Sequence, residues 1–500
     1  MSVRLYHPSL SAHLNGACPK AGVWQFRNLQ YATIPARFAS PEPPEALAGS
    51  VDCTAHGPIC PQNHVDFRHL LRIPEHVQPP KLPEDEFQCL NLDVTTLEAA
   101  HLLPAERLLP VLLWIHGGSQ AVSFGTNASG LCDTTNLVKR SLDVAQPVIV
   151  VTINYRVNMF AFGDLESDRN LALKDQQMAL KYVRAHISGF GGDPEKITIA
   201  GESAGAVFCH AHLVTGASPR QCILQSGTLH LSPPQSRAVA ENLINRVSNA
   251  VKDLRGADLR TASVSTLLKA QATLGLESFF LQEESCLEGW QDKIGDVGRL
   301  LIGDCEYESV LWRNGIEACT PEFISEAFDA AGEASRRLKG QYGIIPDRPV
   351  SCKLGALDFL NDARFSAPIE RVIAQSQETN TPVFRFLVDQ PNPWQSSSRA
   401  HHGVDLIFLF GGYDLSHNKA AEKVSLAMQE KWIKFINGGT PWQPGDSFAF
   451  GPVGICQPID EDDLAARRRQ HHMALLADIG PSGVNAVVSR LAAGRSSLLN

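Results

Sequence analysis

The chain has 500 residues, 44% hydrophobic and 19% charged, which is enough apolar content to bury a large core and too little bias for a disordered or fibrous chain. Lys plus Arg number 44 against 53 Asp plus Glu, a net charge of −9 with no long block of one sign, so the chain does not read as a nucleic-acid binder. The longest apolar runs, residues 108–115 and 148–153, fall well short of the roughly 20 residues of a membrane span.

The opening Met1-Ser-Val-Arg-Leu-Tyr-His-Pro is broken by Pro8 before any apolar centre forms. A cytoplasmic location is therefore the expectation, with secretion the alternative if a leader has been trimmed. Twelve cysteines scattered without CxxC pairs read as reduced and buried, with neither a disulfide scaffold nor structural zinc expected. No repeat of 20–50 residues and no Gly/Ser linker divides the chain, so residues 1–500 read as one domain. Pro41–Pro44 and the stretch 74–83 read as surface loops.

Apolar runs recur in chain order at 111–115, 148–153, 197–200, 222–225, 300–303 and 383–388. Runs of this length suit strands covered on both faces. Residues 171–188, with Leu173, Met178, Leu180 and Val183, predict a helical crossover, hence α/β with a large, mostly parallel central sheet. The segments 236–251 and 264–276 predict helices of an inserted cap at about residues 230–295. From Ala420 through Trp432 and Trp442 to the acidic run at 460–463 the chain reads as helical and then irregular. Residues 467–470, followed by His471 and His472, read as a solvated helical face rather than a metal site, because no third ligand is indicated.

Gly201-Glu202-Ser203-Ala204-Gly205 directly follows the predicted strand 197–200 and precedes an apolar helical segment, 206–213. That is the setting of a nucleophile elbow, a strained strand-to-helix turn that lifts a serine hydroxyl above the sheet. A serine needs a base, and its tetrahedral oxyanion needs N–H donors about 3 Å away. His116-Gly117-Gly118-Ser119, at the end of strand 111–115, offers such donors: the backbones of Gly118, Ser119 and Ala204, with Gly117 required for the turn. His116 reads as a structural hydrogen-bonding residue.

These motifs resemble the type-B carboxylesterases, the cholinesterase-like branch of the α/β-hydrolases. The likeness covers most of the chain. Tyr31-Ala-Thr-Ile-Pro-Ala-Arg37-Phe38, Gly57-Pro-Ile-Cys60 and Cys89-Leu-Asn-Leu come first. Asn154-Tyr-Arg156, Asp175-Gln-Gln and Phe190-Gly-Gly-Asp193-Pro then precede the elbow, and Leu224-Gln-Ser226-Gly follows it. The resemblance implies an α/β-hydrolase fold with helical cap insertions and a Ser-His-Glu triad. Glu308, five positions after Gly303, matches the family's acid, with Glu306 the nearest rival. His402, in His-Gly-Val-Asp405-Leu, matches its base, with His401 one register off. It further implies second-rank roles for Glu202 and Ser226 and a Cys60–Cys89 disulfide, which the expected location leaves open. Arg156 with Asp193 reads as a structural ion pair.

The chain departs from the family pattern at Ser119, where most relatives carry a third glycine, and at Asn158, where glycine is usual. No tryptophan lies between Cys60 and Cys89, so the aromatic platform of a quaternary-ammonium site is missing. The Asn127-Ala-Ser129 sequon carries no weight in an intracellular chain. The implied activity is hydrolysis of a hydrophobic small-molecule ester without metal or cofactor. Acyl transfer or lactone opening by the same triad is the alternative, and a non-catalytic adhesion protein a remoter one. No nucleic acid or membrane partner is expected, and the sequence does not fix the oligomeric state.

Overall fold

The computed structural model describes residues 2–78, 80–255 and 258–497. Its centre is one mixed sheet of thirteen strands: β1 (Ser2–His7), β2 (Ala12–Lys20), β3 (Val23–Gln30), β4 (Ser50–Cys53), β5 (Asn91–Leu97), β6 (Leu109–Ile115), β7 (Ile149–Ile153), β8 (Gly192–Glu202), β9 (Gln221–Gln225), β10 (Leu300–Cys305), β11 (Val383–Val388), β12 (Ser447–Phe450) and β13 (Cys456–Ile459). The spatial order is β1-β2-β3-β5-β7-β6-β8-β9-β10-β11-β12-β13, with β4 beside β2.

The six strands predicted from apolar runs are β6 to β11, and every pairing among them is parallel. The physical reason is visible in their burial. β7, β9, β10 and β11 are buried at every residue, because helices cover both faces of a parallel sheet. Helix Leu171–His186 supplies the crossover into β8, with Leu171, Leu173, Leu180 and Val183 buried. Helix Ala204–Val214 then runs through the interior, buried from Ala204 to Leu213.

Two helices, Arg237–Arg255 and Val264–Thr273, stand between β9 and β10 where a cap was predicted; the Ser263 side chain caps the second by accepting from Thr266 N–H. A second helical excursion, between β10 and β11, has no counterpart in the sequence reading. It contains helices Pro349–Asn361 and Ala367–Glu378, joined by a π-helical turn at Asp362–Ser366.

The C-terminal expectation needs correction. After helix Lys419–Ile436 the chain is not irregular: β12 and β13 close the sheet edge, and helices Glu461–Arg467 and Gln470–Ala492 follow. The acidic run is a helix start, with Asp460 accepting from Asp463 N–H. Nor are residues 467–470 a solvated face, since Arg468 is only 2% exposed. Among the described residues no helix is long and apolar enough to cross a membrane.

Candidate active site

The elbow forms where β8 runs into helix Ala204–Val214. Ser203 sits between them at φ 55°, ψ −123°, a strained conformation for a residue with a side chain. The flanking glycines explain why the turn closes. A Cβ on Gly205 would lie 2.1 Å from the carbonyl oxygen of Ile115 at the end of β6, and one on Gly201 would strike the backbone of Gly205 at 2.4 Å. The motif is thus a three-way backbone contact among β8, the helix and β6.

That contact sets the HGGS loop beside the serine. A Cβ on Gly117 would meet the backbone and carboxylate oxygens of Glu202 at 2.8 and 3.0 Å and Ser203 Cβ at 3.4 Å. The next three residues, Gly118, Ser119 and Gln120, all have positive φ. Gly117 N–H donates to the Phe124 carbonyl. Among the described residues the N–H groups of Gly118, Ser119 and Ala204 donate to no other protein group. His116 is structural: Tyr155 donates its hydroxyl to the His116 carbonyl at 2.6 Å, and the two rings stack at 4.2 Å. Burial lowers the imidazole pKa to about 4.

Glu308 and His402 meet although they lie 94 residues apart, with His402 Nδ1 donating to Glu308 Oε2 at 2.5 Å. The other oxygen of Glu308 accepts from Cys305 N–H at 2.6 Å, and Asn361 Oδ1 accepts the N–H groups of Glu308 and Ser309. Neither the Cys305 donor nor Asn361 was singled out in the sequence; neither belongs to a recognisable motif. The rival Glu306 instead pairs with Arg399 near the surface. His401 points away, its Nε2 accepting from Asn392 at 2.9 Å and its Nδ1 meeting the His402 carbonyl.

His402 Nε2 faces Glu202 Oε1 at 3.1 Å, so the imidazole lies against the residue preceding Ser203. Ser203 Oγ itself has no hydrogen-bond partner among the described residues. Burial opposes the imidazolium, but the carboxylates of Glu202 and Glu308 outweigh it and the His402 pKa is raised. Burial raises the Glu202 pKa in turn, with His402 opposing. Ser226 does not reach Glu308 or His402, because its hydroxyl points to Cys305 Sγ at 3.9 Å.

Arg156 pairs with Asp175 through two bonds of 2.9 and 2.6 Å, not with Asp193, which bonds Lys196. The reason is polarity of the sheet: Arg156 follows the C-terminal end of β7, whereas Asp193 starts β8 at the opposite end. Cys60 and Cys89 are free thiols in this structure. Hydrogen bonding to Cys60, with burial, holds the Cys89 pKa well above its ordinary value, which disfavours the reactive thiolate. Asn127 of the sequon is buried, donating to Asp93 at 2.8 Å. Asn158, at φ 50°, adopts the left-handed conformation a glycine would, and its amide donates to the carbonyls of Pro61 and Ala121. Among the described residues no group of three or more His, Cys, Asp or Glu is placed to hold a metal ion.

The carboxylesterase family profile matches residues 13–294 and 314–462. The chain is 30% identical to Lipase 3 of Yarrowia lipolytica (strain CLIB 122 / E 150), over 97% of this chain and 99% of that protein. It is also 30% identical to the para-nitrobenzyl esterase of Bacillus subtilis (strain 168), over 84% and 87% respectively. Among solved structures a PNB esterase superposes with a TM-score of 0.70 at 25% identity, covering 92% of this chain and 97% of the other. Residues 295–313, which hold Glu308, fall between the two matched stretches. The chain belongs to the carboxylesterase family, has the α/β-hydrolase fold and is a carboxylic ester hydrolase.

Proposed function

We propose that Ser203, His402 and Glu308 form the catalytic triad of a serine esterase working through a covalent acyl-enzyme on hydrophobic small-molecule esters. The observation that carries this reading is the convergence of the Glu308–His402 pair on the elbow beside three unengaged peptide N–H groups. The reading requires the serine hydroxyl to reach His402 Nε2, which in this structure faces Glu202 Oε1.

His402 then takes the hydroxyl proton as Ser203 Oγ bonds to the ester carbonyl carbon. The negative oxygen is stabilised by the N–H groups of Gly118, Ser119 and Ala204, which are fixed in advance and need no reorganisation. His402 returns its proton to the departing alkoxide as the C–O bond breaks. Water, deprotonated by the same imidazole, attacks the acyl-enzyme carbonyl; the C–Oγ bond to Ser203 breaks, His402 returns the proton to Oγ, and the acid is released. Glu308 holds the imidazole in the tautomer with Nδ1 protonated and stabilises its cation. Glu202 adds negative potential at the imidazole.

The test is Ser203→Ala. It is expected to abolish burst release from a p-nitrophenyl ester while the circular dichroism spectrum and melting temperature stay close to the parent. Retained turnover would overturn the assignment.

A further inference from the structure

We infer that Arg468 is a positioning residue for the catalytic acid, acting through the peptide group that joins Asp304 to Cys305. The inference rests on the triad reading above and extends it to a residue beyond the stretch matched by the family profile.

Arg468 lies in the turn between helices Glu461–Arg467 and Gln470–Ala492, and its guanidinium is enclosed. Nε donates to Asp304 Oδ1 at 2.7 Å and Nη1 to Asp389 Oδ1 at 2.9 Å. Nη1 also reaches the Arg467 carbonyl at 3.2 Å. Two carboxylates already satisfy the charge of a buried guanidinium. The further bond is the informative one: Nη2 donates to the backbone carbonyl of Asp304 at 3.1 Å.

That carbonyl and the N–H of Cys305 are the two ends of one planar peptide unit. The Cys305 N–H is the group that donates to Glu308 Oε1 at 2.6 Å. A continuous line of polar contacts therefore runs from the guanidinium, across one peptide, to Glu308 and on to His402 Nδ1. A cation on the oxygen side polarises the peptide and strengthens its N–H as a donor. It also fixes the plane in which the carboxylate is held. The Asp304 side chain is clamped from the other side by Ser366, whose hydroxyl donates to Oδ2 at 2.7 Å. Ser366 ends the π-helical turn whose Phe365 ring packs 5.5 Å from the His402 imidazole. The C-terminal segment thus braces the acid from a place in the sequence remote from it.

The experiment compares Arg468→Lys, Arg467→Ala and Glu308→Gln in the full chain. Active sites are titrated by the p-nitrophenyl ester burst, so that kcat is expressed per competent site. The downfield proton resonance of the His402–Glu308 hydrogen bond is recorded alongside the melting temperature. Lysine keeps the charge but lacks the planar fork whose three nitrogens reach the Asp304 side chain, the Asp389 side chain and the Asp304 carbonyl. Arg468→Lys is therefore expected to lower kcat per site on the order of tenfold, with KM within about twofold, and to shift the resonance. Arg467→Ala removes a neighbouring bond to Asp389 without touching the 304–305 peptide, and is expected to keep kcat. A variant with lower melting temperature but unchanged kcat per site and unchanged resonance would show a merely structural arginine and overturn the inference. If Arg468→Lys does not fold, Ser366→Ala, which loosens the other oxygen of Asp304, must lower kcat per site and shift the same resonance; unchanged values overturn it equally. Glu308→Gln separates the two levels. Full activity in that variant refutes the triad reading itself, whereas its collapse beside an unaffected Arg468→Lys refutes only the role of Arg468.

Discussion

Replacing Glu202 by glutamine is expected to move the acid limb of the pH–rate profile to lower pH. In the proposed mechanism His402 works as a base only when neutral, so activity is lost as pH falls through its pKa. That pKa is raised because the Glu202 carboxylate, with Glu308, outweighs the effect of burial. Glu202 Oε1 lies 3.1 Å from Nε2 and neither of its oxygens has a hydrogen-bond partner among the described residues, so among these residues the imidazole is the group that answers its charge. With charge centres about 4 Å apart and an effective dielectric constant of about 20, the attraction is about 4 kcal/mol. At about 1.4 kcal/mol per pH unit this caps the displacement near 3 pH units. Burial raises the Glu202 pKa and keeps part of it protonated, so a displacement of about 1 to 2 pH units is expected. The assay is kcat/KM for p-nitrophenyl acetate between about pH 5 and 9, which reports the free enzyme. A limb that stays in place, or moves to higher pH, would refute the coupling between Glu202 and His402 and the raised basicity that it confers on the imidazole.

Two other perturbations have calculable directions. His116, His210, His212 and His401 are buried with pKa values lowered to about 4, burial being the main cause. The unfolded chain protonates these groups near pH 6.5 and the folded chain does not, so their stabilisation is intact above about pH 6.5 and is lost as pH falls toward about 4. The melting temperature is expected to fall across that window, and a flat or rising trend would contradict it. Asn158→Gly keeps the left-handed turn but deletes two side-chain bonds to buried carbonyls, a loss of about 1 to 3 kcal/mol. Its backbone N–H still donates to the Gln120 carbonyl, so the urea midpoint is expected to drop while kcat holds within about threefold.

The parallel heart of the sheet was legible in the sequence because strands buried on both faces must be apolar throughout. β1 to β5 were not. Ser2–His7 mixes buried and exposed positions and Val23–Gln30 buried and half-buried ones, Gly16 and Pro19 interrupt β2, and β5 reads Asn-Leu-Asp-Val-Thr-Thr-Leu though buried throughout. Ser203 and the HGGS loop announced themselves because backbone packing dictates their residue types locally. Arg468 did not, because three consecutive arginines after an acidic helix start have the composition of a solvated face. Only the fold reveals that the middle one turns inward to Asp304 and Asp389. The same blindness misplaced the partner of Arg156, since which carboxylate meets a buried cation depends on which end of the sheet each one occupies.

The loop at residues 117–120, assigned here to the oxyanion, shows how a strained turn is held. Three successive residues with positive φ, two of them not glycine, cost on the order of 1 kcal/mol or more for each non-glycine. The strain persists because every carbonyl of the loop is taken. Gly117 C=O accepts from Phe124 and Gly118 C=O from Ala121 and Val122, while Ser119 C=O accepts from Phe279 and Gln120 C=O from Asn158. Two of those donors, Phe279 and Asn158, come from distant segments, one just past the cap helices and one after β7. Among the described residues the N–H groups of Gly118 and Ser119 donate to no protein group, which in the proposed mechanism leaves them available to a developing negative charge. By binding Ser119 through Phe279 N–H, the segment that follows the cap helices helps to hold the loop in its strained form. Deleting the segment would relax the donors even if Ser203 and His402 stayed where they are.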